Sequence, residues 1–483
     1  MGVLDACVPK DVFSYFEQLN AVPRGSGDTD RVSGFVKQFA IDRGLDYVQD
    51  ALGNVIIYKP GTAGYEQAPT VILQAHLDMV CEAEEGVVHD FTREGLELLV
   101  EGDFVRANGT TLGGDDGIGV AYCMAILAAN DLAHPPLEVV LTVDEEIGLL
   151  GAQGLDGTLL KGRTMINLDS EEEDIFLVSS AGGCTAKCTF ALMRDSVRTP
   201  FAYTLRVAGL KGGHSGTEIH KELANADKTI VRVVRTLKEK LALRVCSVTG
   251  GRKDNAIPWM ATAVLASDTE CLDDLSNGVA TMQEILRKEL QVSDPDITLT
   301  VEPEEAQFSP LVPDCEAKIL DFLEFCPNGV QHWNLAIPDL VETSLNLGIL
   351  TMEEREMVAE FCLRSSVISR KEALQQMLGR MVKSFGGTIE IFGENPAWEY
   401  APTSRIRDTY VACYRALYGK EPKVQAVHAG LECGLFAEKL PGLDCISVGP
   451  DIFDIHTAKE RLSISSAKRS YELLLAVLAA LKE

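Results

Sequence analysis

Positive charge is scarce in this 483-residue chain: 44 Lys and Arg stand against 72 Asp and Glu, a formal net charge of −28. A field of that sign repels phosphate backbones and anionic lipid surfaces, which argues against a nucleic-acid or membrane-surface role. Long apolar runs are also missing. The longest, Leu473 to Leu481, covers about half of a membrane span and is expected to form the buried face of a terminal helix. The opening MGVLDACVPKDVF has no basic segment followed by an apolar core, so it is not read as a signal peptide, and Ala6 stands where myristoylation wants Ser or Thr. The 13 cysteines form no tight framework and are odd in number, the pattern of reduced thiols in a cytoplasm. Cys184 and Cys188 lack a second pair at zinc-finger spacing and are read as structural. Common catalytic signatures are absent too: there is no GxxxxGK[ST] loop and no HExxH helix, and Gly212 to Thr217 (GGHSGT) stops one glycine short of a nucleophile elbow.

What is present is the composition of an ordinary globular protein, 46% apolar and 24% charged, in a chain longer than one core usually holds. The first third alternates short β-branched runs (Val71 to Leu73, Leu137 to Val143) with a helical pattern from Gly117 to Leu132. The grammar returns near the end, with a helix over 404–418, a strand over 443–448 and a helix over 465–481. Strand, helix and strand in that order predict an α/β fold with a mostly parallel sheet flanked by helices. Between about 184 and 396 the strands alternate apolar and polar residues, as in Tyr203 to Val207 and Ala261 to Leu265, and amphipathic helices such as 226–241 intervene. This predicts an inserted α+β domain at 184–396 inside a catalytic domain made of 1–183 and 397–483. No sequence repeat marks two similar halves within the insert.

Histidines and carboxylates gather where the first domain's strands should end. His76 and Asp78 follow the first run, and a carboxylate behind a histidine fixes its tautomer, as in metal sites; a strand-end histidine satisfied by its neighbour is the plainer alternative. Asp115 and Asp116 lie in GGDDG at the start of the long helix, where simple capping could explain both. Asp144, Glu145 and Glu146 follow the second run, and three adjacent carboxylates there repel one another unless cations or protons compensate. Asp169 and Glu171 in NLDSE and His456 in DIH complete the set. Open α/β proteins build their sites at the carboxyl ends of strands, and this donor set would suit a two-metal hydrolase.

The order HLDMV, TLGGDDGIG, DEEIGL, NLDSE, GGHSG, NAIP, HAGLECG and IHTAKE resembles the aminoacyl-histidine dipeptidases, within the aminoacylase/carboxypeptidase clan of dinuclear zinc exopeptidases, from about Asp11 to the C-terminus. The resemblance implies a zinc-exopeptidase fold whose insert is a lid. It also implies two divalent ions, zinc first, with manganese or cobalt sharing the same ligands. His76 and Asp169 would complete one metal site and Glu146 and His456 the other. Asp115 would bridge them, although Asp116 competes for that role because the family often has asparagine there. Asp78 would orient His76, Glu145 would be the general base, and His214 would polarise the scissile carbonyl. Asn255, Arg364, His428 and Glu432 would contact the substrate, Arg364 through its free carboxylate. The implied activity is hydrolysis of short peptides such as aminoacyl-histidine dipeptides by a cytoplasmic enzyme. A tripeptide aminopeptidase or an N-acyl amino acid deacylase is the alternative on the same centre. The expected partner is a small peptide, with no nucleic acid and no membrane. A homodimer is a candidate, since the wider clan often pairs through the insert.

Overall fold

The computed structural model describes residues 2–196, 198–306, 308–335 and 337–482. The chain forms two compact units: 1–180, 400–426 and 431–483 make the first, and 181–399 with 427–430 make the second. The second unit therefore begins before residue 184, ends after 396, and takes back a short segment that the sequence reading left with the final part of the chain.

The first unit is built on an eight-stranded sheet in the order Asp46–Gln49, Val55–Lys59, Leu137–Thr142, Val71–His76, Thr164–Asn167, Asp444–Ser447, Ile175–Ser180, Lys423–Val427. Its four central strands, from Leu137–Thr142 to Asp444–Ser447, are parallel, while the pairs recorded on either side of them are antiparallel. Val71–His76 and Leu137–Thr142 are buried at every position, which is why they read as near-continuous apolar runs rather than alternating ones. The register aligns His76 with Thr142, Gln74 with Asn167, and Asn167 with Ser447. All four strands thus end along one edge, and the residues that follow them converge there.

The helix Gly114–Ala128 is apolar on all sides and buried through Leu127, packed on Val71–His76 and on the helix Lys10–Asn20. It begins three residues earlier than its apolar periodicity suggests, so the aspartates lie in its first turn. Both depart from helical geometry there, Asp115 at φ −77°, ψ 113° and Asp116 at φ −107°, ψ 33°. A small antiparallel sheet of Ile452–Phe453, Arg461–Ser463, Phe104–Ala107 and Leu98–Glu101 closes off the loop that carries His456. Within that loop Asp454 and His456 both take positive φ, 54° and 59°, which turns the chain sharply between the two short strands.

The second unit holds a nine-stranded antiparallel sheet with helices. Its topology is one pattern used twice. Phe201–Ala208, the helix Ala226–Lys238, Arg244–Gly251, Ala261–Ser267, the helix Leu272–Glu289 and Thr298–Glu304 form a βαββαβ set. Gly182–Ala191, the helix Pro313–Phe325, Val341–Met352, Glu356–Ser365, the helix Ile368–Ser384 and Thr388–Asn395 form another. In both, the strands lie side by side in the order fourth, first, third, second. The sets meet second strand to second strand, antiparallel, with Gly250 opposite Leu350 and Gly251 opposite Ile349. The first set is inserted after the opening strand of the other, so the duplication is nested rather than tandem. Among the described residues no helix is long and apolar enough to cross a membrane.

Candidate metal centre and substrate-binding residues

Of the candidate ligands in the first unit, His76, Glu146 and Asp169 lie at or just past the ends of parallel strands, Asp115 at the start of the buried helix, and His456 in the loop between two short antiparallel strands. His76 is the last residue of its strand and is buried. Its Nε2 lies 3.0 Å from Asp115 Oδ1 and 3.3 Å from Asp169 Oδ1. Its Nδ1 faces Asp78, 3.2 Å from the carbonyl oxygen and 3.5 Å from Oδ1. Asp78 is itself fixed: Oδ2 accepts from the Ser26 hydroxyl at 2.8 Å, and its two oxygens accept the Glu145 and Glu146 amides at 3.0 and 3.3 Å. The Asp78 carboxylate therefore ties the imidazole of one strand end to the backbone of the next.

After Leu137–Thr142 the chain turns at Asp144, whose φ is 54° and whose carboxylate accepts the Gly27 amide at 2.7 Å. That turn carries Glu145 and Glu146 across the strand ends. Glu146 Oε1 lies 2.9 Å from His456 Nε2, and the same nitrogen lies 3.2 Å from Asp115 Oδ2. His76, Asp115 and Glu146 each offer a ligand atom within 4.8 Å of the others. The residues form two overlapping sets, His76 with Asp169 and His456 with Glu146, and the Asp115 carboxylate sits in both with one oxygen toward each imidazole.

The neighbouring Asp116 is engaged elsewhere. Its Oδ2 accepts the His76 amide and its Oδ1 the Gly119 amide, each at 3.2 Å. One aspartate of the pair does the helix-start work that could have explained both, and the other is left to the imidazoles.

The electrostatics of this cluster call for cations. Burial raises the pKa values of Asp169 and Glu145 well above the ordinary carboxylate range, and neighbouring carboxylates push the same way. Burial also pushes Glu171 up to about 7. Burial alone would lower the His76 pKa, but Asp169, Asp115 and Asp78 raise it well above 6.5, and hydrogen bonds to Asp115 and Glu146 push His456 up to about 11. The carboxylates around the two imidazoles thus favour a proton on each. Imidazole ligates metals in its neutral form, so a divalent ion would replace such a proton while offsetting more negative charge. Two nitrogens and three carboxylates make a donor set that suits zinc and its neighbours. Glu145 lies among these groups, yet among the described residues its carboxylate makes no hydrogen bond, which leaves it available for proton transfer.

The second unit gathers another group. His214 lies in a two-residue strand paired with Ala256–Ile257, and the Asn255 carbonyl beside it accepts the Ser215 amide at 2.9 Å. The His214 Nδ1 accepts the Gly216 and Thr217 amides at 3.3 and 3.1 Å. A ring nitrogen that accepts carries no proton, so the neutral ring is protonated on Nε2 and presents a donor there. Burial and the Arg364 charge lower the His214 pKa, favouring that neutral form. A side chain at Gly216 would collide with the His428 carbonyl and crowd His214 and Arg364, so glycine lets the three approach one another. His428 Nε2 pairs with the Ser344 hydroxyl at 2.7 Å, and burial with the Arg364 charge depresses its pKa to about 3. Among the described residues the buried Arg364 Nε has no hydrogen-bond partner. The Asn255 side chain is exposed.

Glu432, expected at the substrate, lies in the interior of the first unit with no accessible surface. It accepts from Gln74 and from the Thr142 hydroxyl, and through Gln74 it connects to Asn167. Burial pushes its pKa up to about 8. It belongs to a polar network beneath the strand ends. Sequence reasoning also passed over Arg24 and Glu460, both buried against the metal-site backbone; Glu460 was signalled by its place four residues after His456 in IHTAKE.

Comparison with known proteins decides the family. The model of peptidase family M20/M25/M40 matches residues 72–480. The chain belongs to this family. It is accordingly a hydrolase, and its family's chemistry uses divalent metal. A cytosol non-specific dipeptidase of Escherichia coli is 37% identical over 475 residues, 98% of each chain. The crystal structure of an aminoacylhistidine dipeptidase from Vibrio alginolyticus superposes with a TM-score of 0.92 at 35% identity, covering 99% of this chain and 98% of that one. A tripeptidase from Staphylococcus aureus shares the fold at a TM-score of 0.56 and 14% identity, with 99% of each chain covered.

Proposed function

We propose that this M20-family peptidase is a cytoplasmic dipeptidase that uses two divalent metal ions, zinc first among them, and accepts aminoacyl-histidine and related dipeptides. The observation that carries the two-metal reading is the Asp115 carboxylate, with one oxygen 3.0 Å from His76 and the other 3.2 Å from His456. The dipeptide reading is supported by the full-length likeness to two dipeptidases at 37% and 35% identity.

His76 and Asp169 would hold one ion, Glu146 and His456 the other, and Asp115 both. When bound, the pair supplies Lewis acidity, making water a nucleophile near neutral pH and polarising the peptide carbonyl. The remaining work falls to the chain. Glu145 takes the proton of the attacking water and returns it to the departing nitrogen, a role suited to a carboxylate free of hydrogen bonds. Asp78 holds His76 through Nδ1 and leaves its Nε2 lone pair for the metal. His214, protonated on Nε2, donates to the carbonyl oxygen as charge develops there. Arg364 takes the free carboxylate of the substrate with its planar guanidinium, and Asn255 and His428 complete the substrate contacts.

A hydrolysis panel tests this reading. β-Alanyl-histidine and several α-dipeptides should be cleaved, while a tripeptide and an N-acetyl amino acid are spared. Cleavage confined to the tripeptide or the acyl compound would contradict the substrate assignment and leave the metal residues standing.

A further inference from the structure

We propose that Arg24 and Glu460 are positioning residues of the metal centre, a pair of buried opposite charges that lock the 112–115 backbone between the segments carrying His76 and His456. The inference rests on the reading of those residues and Asp115 as metal ligands. Both side chains are only 2% exposed.

Glu460 Oε2 accepts the Leu112 and Gly113 amides at 2.8 and 2.9 Å, and Oε1 accepts those of Gly114 and Asp115 at 2.7 and 3.3 Å. Four consecutive amides thus converge on one carboxylate, where the exposed donors of a helix start favour negative charge. Glu460 stands four residues after His456, and its own amide closes a turn on the Thr457 carbonyl at 3.1 Å. The contact therefore joins the His456 loop to the backbone from which Asp115 projects.

Arg24 works from the other side of the same residue. Its Nη1 donates to the Leu77 and Asp78 carbonyls, each at 3.1 Å, and its Nη2 to the Asn20 side chain at 3.3 Å and to the Gly113 carbonyl. Gly113 therefore gives its amide to Glu460 and its carbonyl to Arg24. Its φ of 63°, together with the guanidinium lying where a side chain would go, requires glycine there. Through the two charges the three segments with His76, Asp115 and His456 are held in mutual register, though among the described residues neither charge is hydrogen-bonded to an imidazole or to the Asp115 carboxylate.

E460Q keeps the shape but puts an amide donor against backbone donors, while E460D keeps both acceptor oxygens one methylene short. R24K keeps the charge and loses the fork. Zinc and cobalt titrations of metal-free protein, with the visible spectrum of the cobalt form and thermal unfolding, give readouts independent of turnover. E460Q and R24K should each weaken metal binding roughly 10–100-fold and alter the cobalt spectrum, with E460D recovering part of the loss. Should E460Q not fold, R24K carries the test. A lowered melting temperature with unchanged metal affinity and cobalt spectrum would reduce both residues to structural ones and overturn the proposal. D115A is the control: tight metal binding in D115A would overturn the ligand reading itself. Weak binding in D115A with wild-type affinity in E460Q and R24K would overturn the positioning role alone.

Discussion

Glu145→Gln is expected to keep the metal content of the wild type and to lower kcat a hundredfold or more, the usual size of a lost general base. The side chain has the same length, and its amide at 3.0 Å from Asp78 Oδ1 is a backbone contact that the substitution leaves in place. What disappears is a carboxylate that can receive a proton. The adjacent Glu146 cannot substitute, because its Oε1 is engaged 2.9 Å from His456. KM should change far less than kcat, since proton transfer belongs to the transition state. Near-wild-type turnover in metal-replete Glu145→Gln would remove Glu145 from that role.

Asp115→Ala should abolish the hold on both metals and bring activity to background, whereas Asp116→Ala should retain metal. The difference follows from where the two carboxylates point. Asp115 faces both imidazoles, while among the described residues Asp116 accepts only the His76 and Gly119 amides. Removing Asp116 leaves two interior N–H groups without an acceptor, a cost of about 1–3 kcal/mol each, so it should appear as a lower melting temperature. Metal analysis of the two purified variants, alongside thermal unfolding, separates them. Retained metal in Asp115→Ala with loss in Asp116→Ala would move the bridge to Asp116.

Legible in the sequence were the features that depend on side-chain identity. A metal or a proton acceptor needs imidazole and carboxylate at the ends of apolar strands, and His76, Asp78, Glu145, Glu146 and Asp169 stand out for that reason. The choice between Asp115 and Asp116 was not legible, because helix-start geometry decides which carboxylate turns toward the backbone. Arg24 and Glu460 escaped notice because, the Asn20 side chain apart, their partners are backbone carbonyls and amides, groups that nearly every residue offers and no motif records. The interior position of Glu432 was not legible in its motif, because its hydrogen-bond partners, Gln74 and Thr142, lie within two strands far away in sequence. The doubled βαββαβ pattern of the second unit leaves no repeat to find. One copy interrupts the other, and a core position accepts any apolar side chain of about the right volume.

The most direct test of the two-metal reading is to strip the purified protein with a chelator, measure bound metal and dipeptide hydrolysis, and then restore zinc, manganese or cobalt stepwise. The expected result is two ions per chain, hydrolysis that vanishes on stripping, and recovery that follows the return of metal. Folded, metal-free protein that cleaves dipeptides at the original rate, or that binds no ion at all, would contradict it.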